Sequence, residues 1–200
     1  MCLRRHRTQR GFSLIEVSIV TAIVLLIAIV GIPAIGSYVI ENKVPKVGEE
    51  LQRFVARVKA NGQGDVVAPY ADLHDGMLAN ALRDSSVFAV RGNDASAVVA
   101  HGLGGNGSAG NGTIGLAPAS FAGAGPGSAF TLTLTNVHNA ACPGLASVMQ
   151  RVSEAITVEG QGGPVVVKDN GASPPKGYDA MLAQAQCARG DANTFVFTAR

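Results

Sequence analysis

The chain has 200 residues, enough for one ordinary domain and a tail but hardly for two. Hydrophobic residues make up 47% and charged residues 15%, which excludes an intrinsically disordered chain, since such chains are poor in aliphatic residues and rich in charge. A formal net charge of +2 is too small to favour nucleic acid as a partner. Three cysteines exclude a disulfide-dense miniprotein and allow one disulfide.

A short basic segment precedes a long apolar one. Residues 1–10 read MCLRRHRTQR and contain four arginines and no acid. Between residues 12 and 40 the only charged residue is Glu16. About 20 apolar residues span a bilayer core as a helix, and a basic flank keeps the end that carries it in the cytoplasm. The pattern predicts a transmembrane helix, with the rest of the chain outside the cytoplasm.

Simpler interpretations of the apolar segment explain less. An ordinary secretory signal has an apolar region of about 7 to 15 residues and a small-residue cleavage site, whereas this run is longer and no A-x-A-like site follows it. The length does not suit a buried helix of a soluble protein. A plain membrane anchor stays open on composition alone. It leaves Glu16 unexplained, because an ionisable group inside a membrane helix is costly and usually has a partner.

The run GFSLIE at residues 11–16 resembles the cleavage and methylation motif of type IV pilins and their relatives. In that family a basic leader ends in Gly, a membrane peptidase cuts after this Gly and methylates the new amino terminus, and Glu is the fifth residue after the cut. The resemblance implies a leader at residues 1–11 that is removed, cleavage and N-methylation at Gly11 and Phe12, and a transmembrane or filament-core helix at residues 12–40.

Glu16 is expected to be an assembly residue. Cleavage after Gly11 would create a positive amine on Phe12, and Glu16 lies one helical turn along on the same face. In an assembling filament, its carboxylate can pair with the Phe12 amine of a neighbouring subunit. A buried charge without a partner is strongly unfavourable, so the pair would set the axial register more than add net stability.

After residue 40 the sequence predicts an amphipathic continuation of the helix, residues 41–61. Apolar residues recur at steps of three and four from Val44 to Val58, which is one stripe on a helix. Asn61 and Gly62 suit the end of a helix. Pro33 and Pro45 each remove a backbone donor, so we expect bends near both.

Residues 62–200 alternate short helical and strand-like pieces, which predicts an α+β head with an antiparallel sheet packed against the outer half of the long helix. The clearest strand is AFTLTLTNV at residues 129–137, because apolar residues alternate with threonines. Other strand candidates are residues 86–90, 95–100, 156–158, 165–167 and 194–198, and helix candidates are residues 72–83, 142–156 and 179–187.

A glycine-rich stretch lies at residues 102–128 and contains ten of the 25 glycines. Its composition predicts a long surface loop. It formally contains the dinucleotide fingerprint at residues 102–107, which we reject because no helix and no suitably placed acid follow. It also contains two formal glycosylation acceptors, Asn106 and Asn111, which we expect to be unmodified.

Cys142 and Cys187 can form one disulfide in an oxidising exported compartment. The resemblance supports this pairing, since many pilins close the carboxyl-terminal part of the head with one bridge, here the region 142–187. Two free thiols, or a metal site with His138, are the alternatives. Two cysteines and scattered histidines make a poor ligand set, so we expect no metal.

The sequence predicts no enzyme and no cofactor, since its Ser, His and Asp residues form no recognisable nucleophile motif. The resemblance implies a structural subunit of a type IV pilus that supports adhesion, motility or aggregation. Its expected partners are other copies of itself in a helical filament, the prepilin peptidase, the pilus assembly machinery and, before assembly, the inner membrane. The expected final location is an extracellular pilus.

Several related assignments share the amino-terminal motif. A type II secretion pseudopilin in the periplasm, a minor pilin and a non-polymerising anchored binding protein are the alternatives. The short leader and Phe12 resemble the type IVa branch, whereas a mature length of 189 residues, 200 less the 11 of the leader, and the wide cysteine spacing resemble type IVb. We favour a type IVb-like major pilin.

Overall fold

The computed structural model describes residues 13–64 and 67–200, apart from the side chains of residues 33 and 34. Gly11 and Phe12, the predicted processing residues, lie outside the described residues. The chain divides into two compact units, Met1–Ser37 and Tyr38–Arg200. The first contributes the amino-terminal part of helix α1, and the second contains the rest of α1 and the α+β head.

Four helices and seven strands make up the described chain, which confirms the α+β class. The helices are α1 (Leu14–Asn61), α2 (Asp75–Leu82), α3 (Cys142–Met149) and α4 (Ala180–Gln186). The strands are β1 (Ala89–Arg91), β2 (Val98–Ala100), β3 (Thr113–Ala119), β4 (Ala129–Val137), β5 (Ala155–Glu159), β6 (Pro164–Asp169) and β7 (Asn193–Ala199).

The seven strands form one sheet in the order β1-β2-β3-β4-β7-β5-β6. Every neighbouring pair is antiparallel, as predicted. Strand β7 pairs with β4 on one side and β5 on the other, so Val196 lies opposite both Thr133 and Thr157. The register between β4 and β7 shifts between Leu134 and Val137, which marks a β-bulge.

Strand β4 has the bounds that its alternation predicts. Phe130, Leu132 and Leu134 are buried, with exposed fractions of at most 1%, while the threonines between them are half-buried. Side chains of successive strand residues point to opposite faces of the sheet. The apolar face of β4 therefore belongs to the core, and the threonine face does not.

The predicted stripe on α1 packs into the same core. Val47 and Leu51 are fully buried, and Val44, Phe54 and Val55 are nearly so. Helix α1 ends at Asn61, as expected. It is continuous through Pro33 and Pro45, so neither proline ends it, and the bends at these positions stay predictions.

The expectation of a surface loop over residues 102–128 is wrong in part. Residues 113–119 form strand β3, which pairs with β4 along its whole length. The preceding turn is packed rather than loose, since Leu103 has no exposed surface. Glycine allows this packing: Gly104 has φ +143°, and a Cβ there would lie 2.7 Å from the His138 amide nitrogen.

Helix α3 is shorter than the predicted helix at residues 142–156. It ends at Met149, and Ile156 belongs to strand β5. Lys168 of β6 explains the early end, because its Nζ donates to the Gln150 carbonyl at 2.7 Å and the Ser153 carbonyl at 2.6 Å. These bonds satisfy carbonyls that a continued helix would use itself.

Candidate functional site

The apolar segment, residues 14–37 of α1, exposes its large described apolar side chains within its own unit. Its large hydrophobic residues from Leu14 to Ile35 have exposed fractions between 51% and 86%. The helix is long and apolar enough to cross a membrane, with a mean hydropathy of 2.8 in its most apolar window. A continuous apolar surface of this kind marks a membrane or protein contact.

Glu16 lies in the first turn of α1. Its Oε2 accepts a hydrogen bond from the Ser13 amide nitrogen at 3.4 Å. Ser13 immediately precedes the helix, so this is one half of an S-x-x-E capping box. A carboxylate at this end of a helix is also stabilised by the helix dipole. The carboxylate therefore turns back to the beginning of the helix.

Two hydroxyl side chains within the next five residues after Glu16 form hydrogen bonds within the helix itself. Ser18 Oγ donates to the Leu14 carbonyl at 2.8 Å, and Thr21 Oγ1 donates to the Val17 carbonyl at 2.7 Å. Hydroxyl groups bonded in this way can enter an apolar environment without an outside partner. Glu16 carries the only side-chain charge of the apolar segment, so it is the group that needs a cation when this segment is buried.

The head contains the predicted disulfide. Cys142 is the first residue of α3 and Cys187 directly follows α4; the two form a disulfide with a Cα–Cα distance of 5.9 Å. Cys142 is buried. The bridge excludes the alternative of two free thiols. Because both sulfurs form the bridge, neither is a free thiolate for the alternative metal site with His138, whose Nδ1 accepts a hydrogen bond from the Ala140 amide at 3.1 Å.

Two family models match the chain. One, described as the prokaryotic N-terminal methylation motif, matches residues 6–32, which include Gly11, Phe12 and Glu16. The other, described as PilS N terminal, matches residues 106–200. Together they match more than half of the chain. These two matches support a protein of the type IV pilin family. The methylation motif implies processing by a prepilin peptidase and pilus assembly.

One solved structure similar to this pilin is that of the type IV b pilin from Salmonella typhi. The sequence identity is 22% and the TM-score is 0.49, and the similarity covers 76% of this chain and 94% of that chain. The comparison with curated proteins gives no match. The two families whose models match are those of structural proteins rather than of enzymes.

Sequence reasoning identified Glu16 of this pilin but missed its contact with Ser13. The signal for that contact was present, since Ser13 and Glu16 have the spacing of a capping box at the start of an apolar run. The roles of Gly11 and Phe12 in processing, and of Glu16 in assembly, stay predictions. The apolar helix and the methylation motif fit a precursor held in the inner membrane.

Proposed function

We propose that this pilin is a structural subunit of a type IV pilus. In this proposal, prepilin peptidase cuts after Gly11 and methylates Phe12, and the mature chain polymerises through its amino-terminal helix into a filament of identical subunits. The observation that supports it most strongly is the exposed apolar segment with Glu16 in its first turn.

The apolar segment suits two environments in succession. Moving one Val, Leu or Ile side chain out of water contributes about 1.5 to 3 kcal/mol, so a segment with this many exposed apolar residues is unstable in water. Lipid covers it in the precursor, and the helices of neighbouring subunits cover it in the filament. The inner membrane and the pilus assembly machinery are therefore the partners before and during assembly.

Glu16 distinguishes a polymerising subunit from a plain anchor. A membrane anchor gains nothing from a carboxylate in its first turn, because burying an unpaired charge is strongly unfavourable. Cleavage supplies the missing cation as the amine of Phe12. We propose that Glu16 of one subunit pairs with the Phe12 amine of the next, which sets the axial position of each added subunit.

The disulfide of the head supports the proposal that the head is exported and exposed on the filament. A disulfide between Cys142 and Cys187 forms in an oxidising compartment, which agrees with a head outside the cytoplasm. We propose a type IVb-like major pilin that ends in an extracellular pilus. Adhesion, motility and aggregation are uses of such a filament.

The test is Glu16→Ala, with Glu41→Ala as the matched control. Both residues are exposed glutamates of α1, but only Glu16 lies in the apolar segment. We expect Glu16→Ala to be processed and inserted normally, while the yield of sheared filaments falls at least about tenfold because the charge pair is lost. Glu41→Ala should assemble like the wild type. Intact mass in the membrane and sheared fractions measures both steps.

Other outcomes overturn particular parts of the proposal. Normal filaments from Glu16→Ala would refute the role of Glu16. Wild-type protein that is processed but confined to the membrane fraction would favour a pseudopilin or a minor pilin. A chain that still begins at Met1 in both fractions would leave an anchored binding protein.

A further inference from the structure

The three histidines of the head share one local contact, but one of them is different. His74, His101 and His138 each accept a hydrogen bond at Nδ1 from the amide two residues later, at 3.1, 3.0 and 3.1 Å. His101 alone among them has no exposed surface. Its Nε2 also lies 2.8 Å from the Thr135 carbonyl oxygen. Both ring nitrogens of the fully buried His101 therefore form hydrogen bonds.

These two contacts fix the protonation state of His101. Nδ1 accepts the Leu103 N–H and carries no proton, so Nε2 carries the proton and donates it to the Thr135 carbonyl. The ring is neutral. A second proton would have to enter at Nδ1, where it would face the Leu103 N–H and break that hydrogen bond.

The ring joins the turn at residues 102–112 to strand β4. Thr135 lies inside the β-bulge of β4. The same turn has further attachments, among them the Leu103 carbonyl, which accepts from the His138 amide at 2.8 Å, and the Gly105 amide, which donates to Asp191 Oδ2 at 2.9 Å. The tip of the turn, residues 108–110, is exposed. His101 is therefore a fully buried titratable group beneath an exposed turn.

The charged and titratable groups that face this region are few. Asp191 precedes β7 and attracts a proton on His101. Arg91 of β1 donates to the Gly107 carbonyl at 2.6 Å, and Lys43 of α1 approaches Gly102; both are cations. His138 is the neighbouring titratable ring. Burial lowers the pKa of His101, and its bond to Thr135 and the charge of Asp191 oppose that effect without cancelling it.

We propose that His101 is a pH-sensitive switch for the turn at residues 102–112. In its neutral form it holds the turn on strand β4, and its protonation releases the turn while the rest of the sheet stays folded. A histidine whose pKa is lowered by folding stabilises the folded state fully above its unfolded pKa of about 6.5. That stability is lost as the pH falls from there through the folded pKa.

Hydrogen exchange on the full chain in detergent micelles, between pH 7.5 and 4.5, tests the proposal. After correction for intrinsic exchange, the opening equilibrium of the Leu103, Gly105 and Gly107 amides should rise by up to about tenfold per pH unit below pH 6.5. The amides of β7 should keep their protection. His74→Gln and His138→Gln, which alter less buried rings with the same local contact, should keep this pH dependence, and His101→Gln should abolish it.

A measurement on the wild type covers the case in which His101→Gln does not fold. Nitrogen-15 NMR of the imidazole should show the neutral ring protonated at Nε2 at pH 7.5, and the ring should titrate below pH 6.5, toward the acid end of the range in which the turn loses protection. Constant protection of the turn down to pH 4.5 would overturn the proposal. Titration of His101 without any change in the turn, or loss of the effect in His138→Gln, would do the same.

Discussion

Gly48 lies on the buried face of α1 against α3, and replacing it by alanine tests the packing of these two helices. A Cβ at position 48 would lie 3.1 Å from Val148 Cβ and closer still to its Cγ1. Val148 cannot easily move away from helix α1, because Gln52 Nε2 donates to its carbonyl at 2.6 Å. Its β-branched side chain also has few alternative rotamers.

Two opposing effects set the size of the change. Alanine is better than glycine inside a helix by about 1 kcal/mol, whereas overpacking a well-filled core costs about 1 to 3 kcal/mol. Because the Val148 carbonyl is bonded to Gln52 and its side chain has few rotamers, we expect the steric cost to dominate, with a net destabilisation of Gly48→Ala of about 1 to 2 kcal/mol. For a chain of this length that lowers Tm by about 2 to 8 °C.

Thermal unfolding in detergent measures the effect, with Val148→Ala, the double variant and Gly31→Ala alongside. Removing the Val148 methyl groups should make Gly48→Ala neutral or stabilising, so the double-mutant cycle should show a favourable coupling. A Cβ at Gly31 would meet nothing within 4 Å, so this control should not lower Tm. A Gly48→Ala protein at least as stable as the wild type, or a cycle without coupling, would refute the reasoning.

Two further predictions concern the head. Replacing Cys142 and Cys187 by serine should lower the free energy of unfolding by about 4 kcal/mol, since the bridge closes a loop with a sequence separation of 45; denaturant unfolding checks this, and an unchanged midpoint would contradict it. Phe130→Ala should cost about 3 to 5 kcal/mol, because the ring has no exposed surface and packs edge-on against Tyr70 at 5.0 Å. Thr133→Ala, on the other face of β4, should cost less than about 1 kcal/mol, and equal losses at the two positions would count against the assigned faces.

The sequence predicts an element well where its hydrophobic pattern and its tertiary neighbours favour the same secondary structure. Strand β4 was predicted end to end because its threonines alternate strictly with apolar residues, and the structure buries one face of it. The stripe from Val44 to Val58 was predicted because a helical period of apolar residues needs a core to cover it. In both cases the local pattern and the tertiary contact require the same side chains to be inside.

Strand β3 was missed for the opposite reason. Its sequence, TIGLAPA, contains Gly115 and Pro118 and continues a glycine-rich stretch, so its local preference is for a turn. Pairing with β4 and burial of Ile114 and Leu116 make it a strand. The predicted length of α3 was also wrong. Ile156 continues the helical spacing of apolar residues, but it pairs with β6 and β7 and therefore belongs to strand β5.

The sheet order and the contact of His101 Nε2 with Thr135 had no signal that reading along the chain could detect. Both depend on residues far apart in sequence, such as Thr135 opposite His101 and β7 beside β4. Glu16 is the reverse case. The spacing of the motif predicts its importance, and its capping contact joins residues that are only three positions apart.

The central position of β7 constrains when the head can fold. Strands β5 and β6 precede β7 in the chain, yet β7 separates them from β4 in the sheet. In the exported subunit proposed above, while residues 193–199 are still inside the translocation channel, β7 does not yet join the two pieces of the sheet, β1 to β4 and β5 with β6. Each piece then exposes a strand edge to other copies crossing the membrane. Because Cys142 and Cys187 both precede β7, oxidation can bring the two pieces together before the last strand arrives.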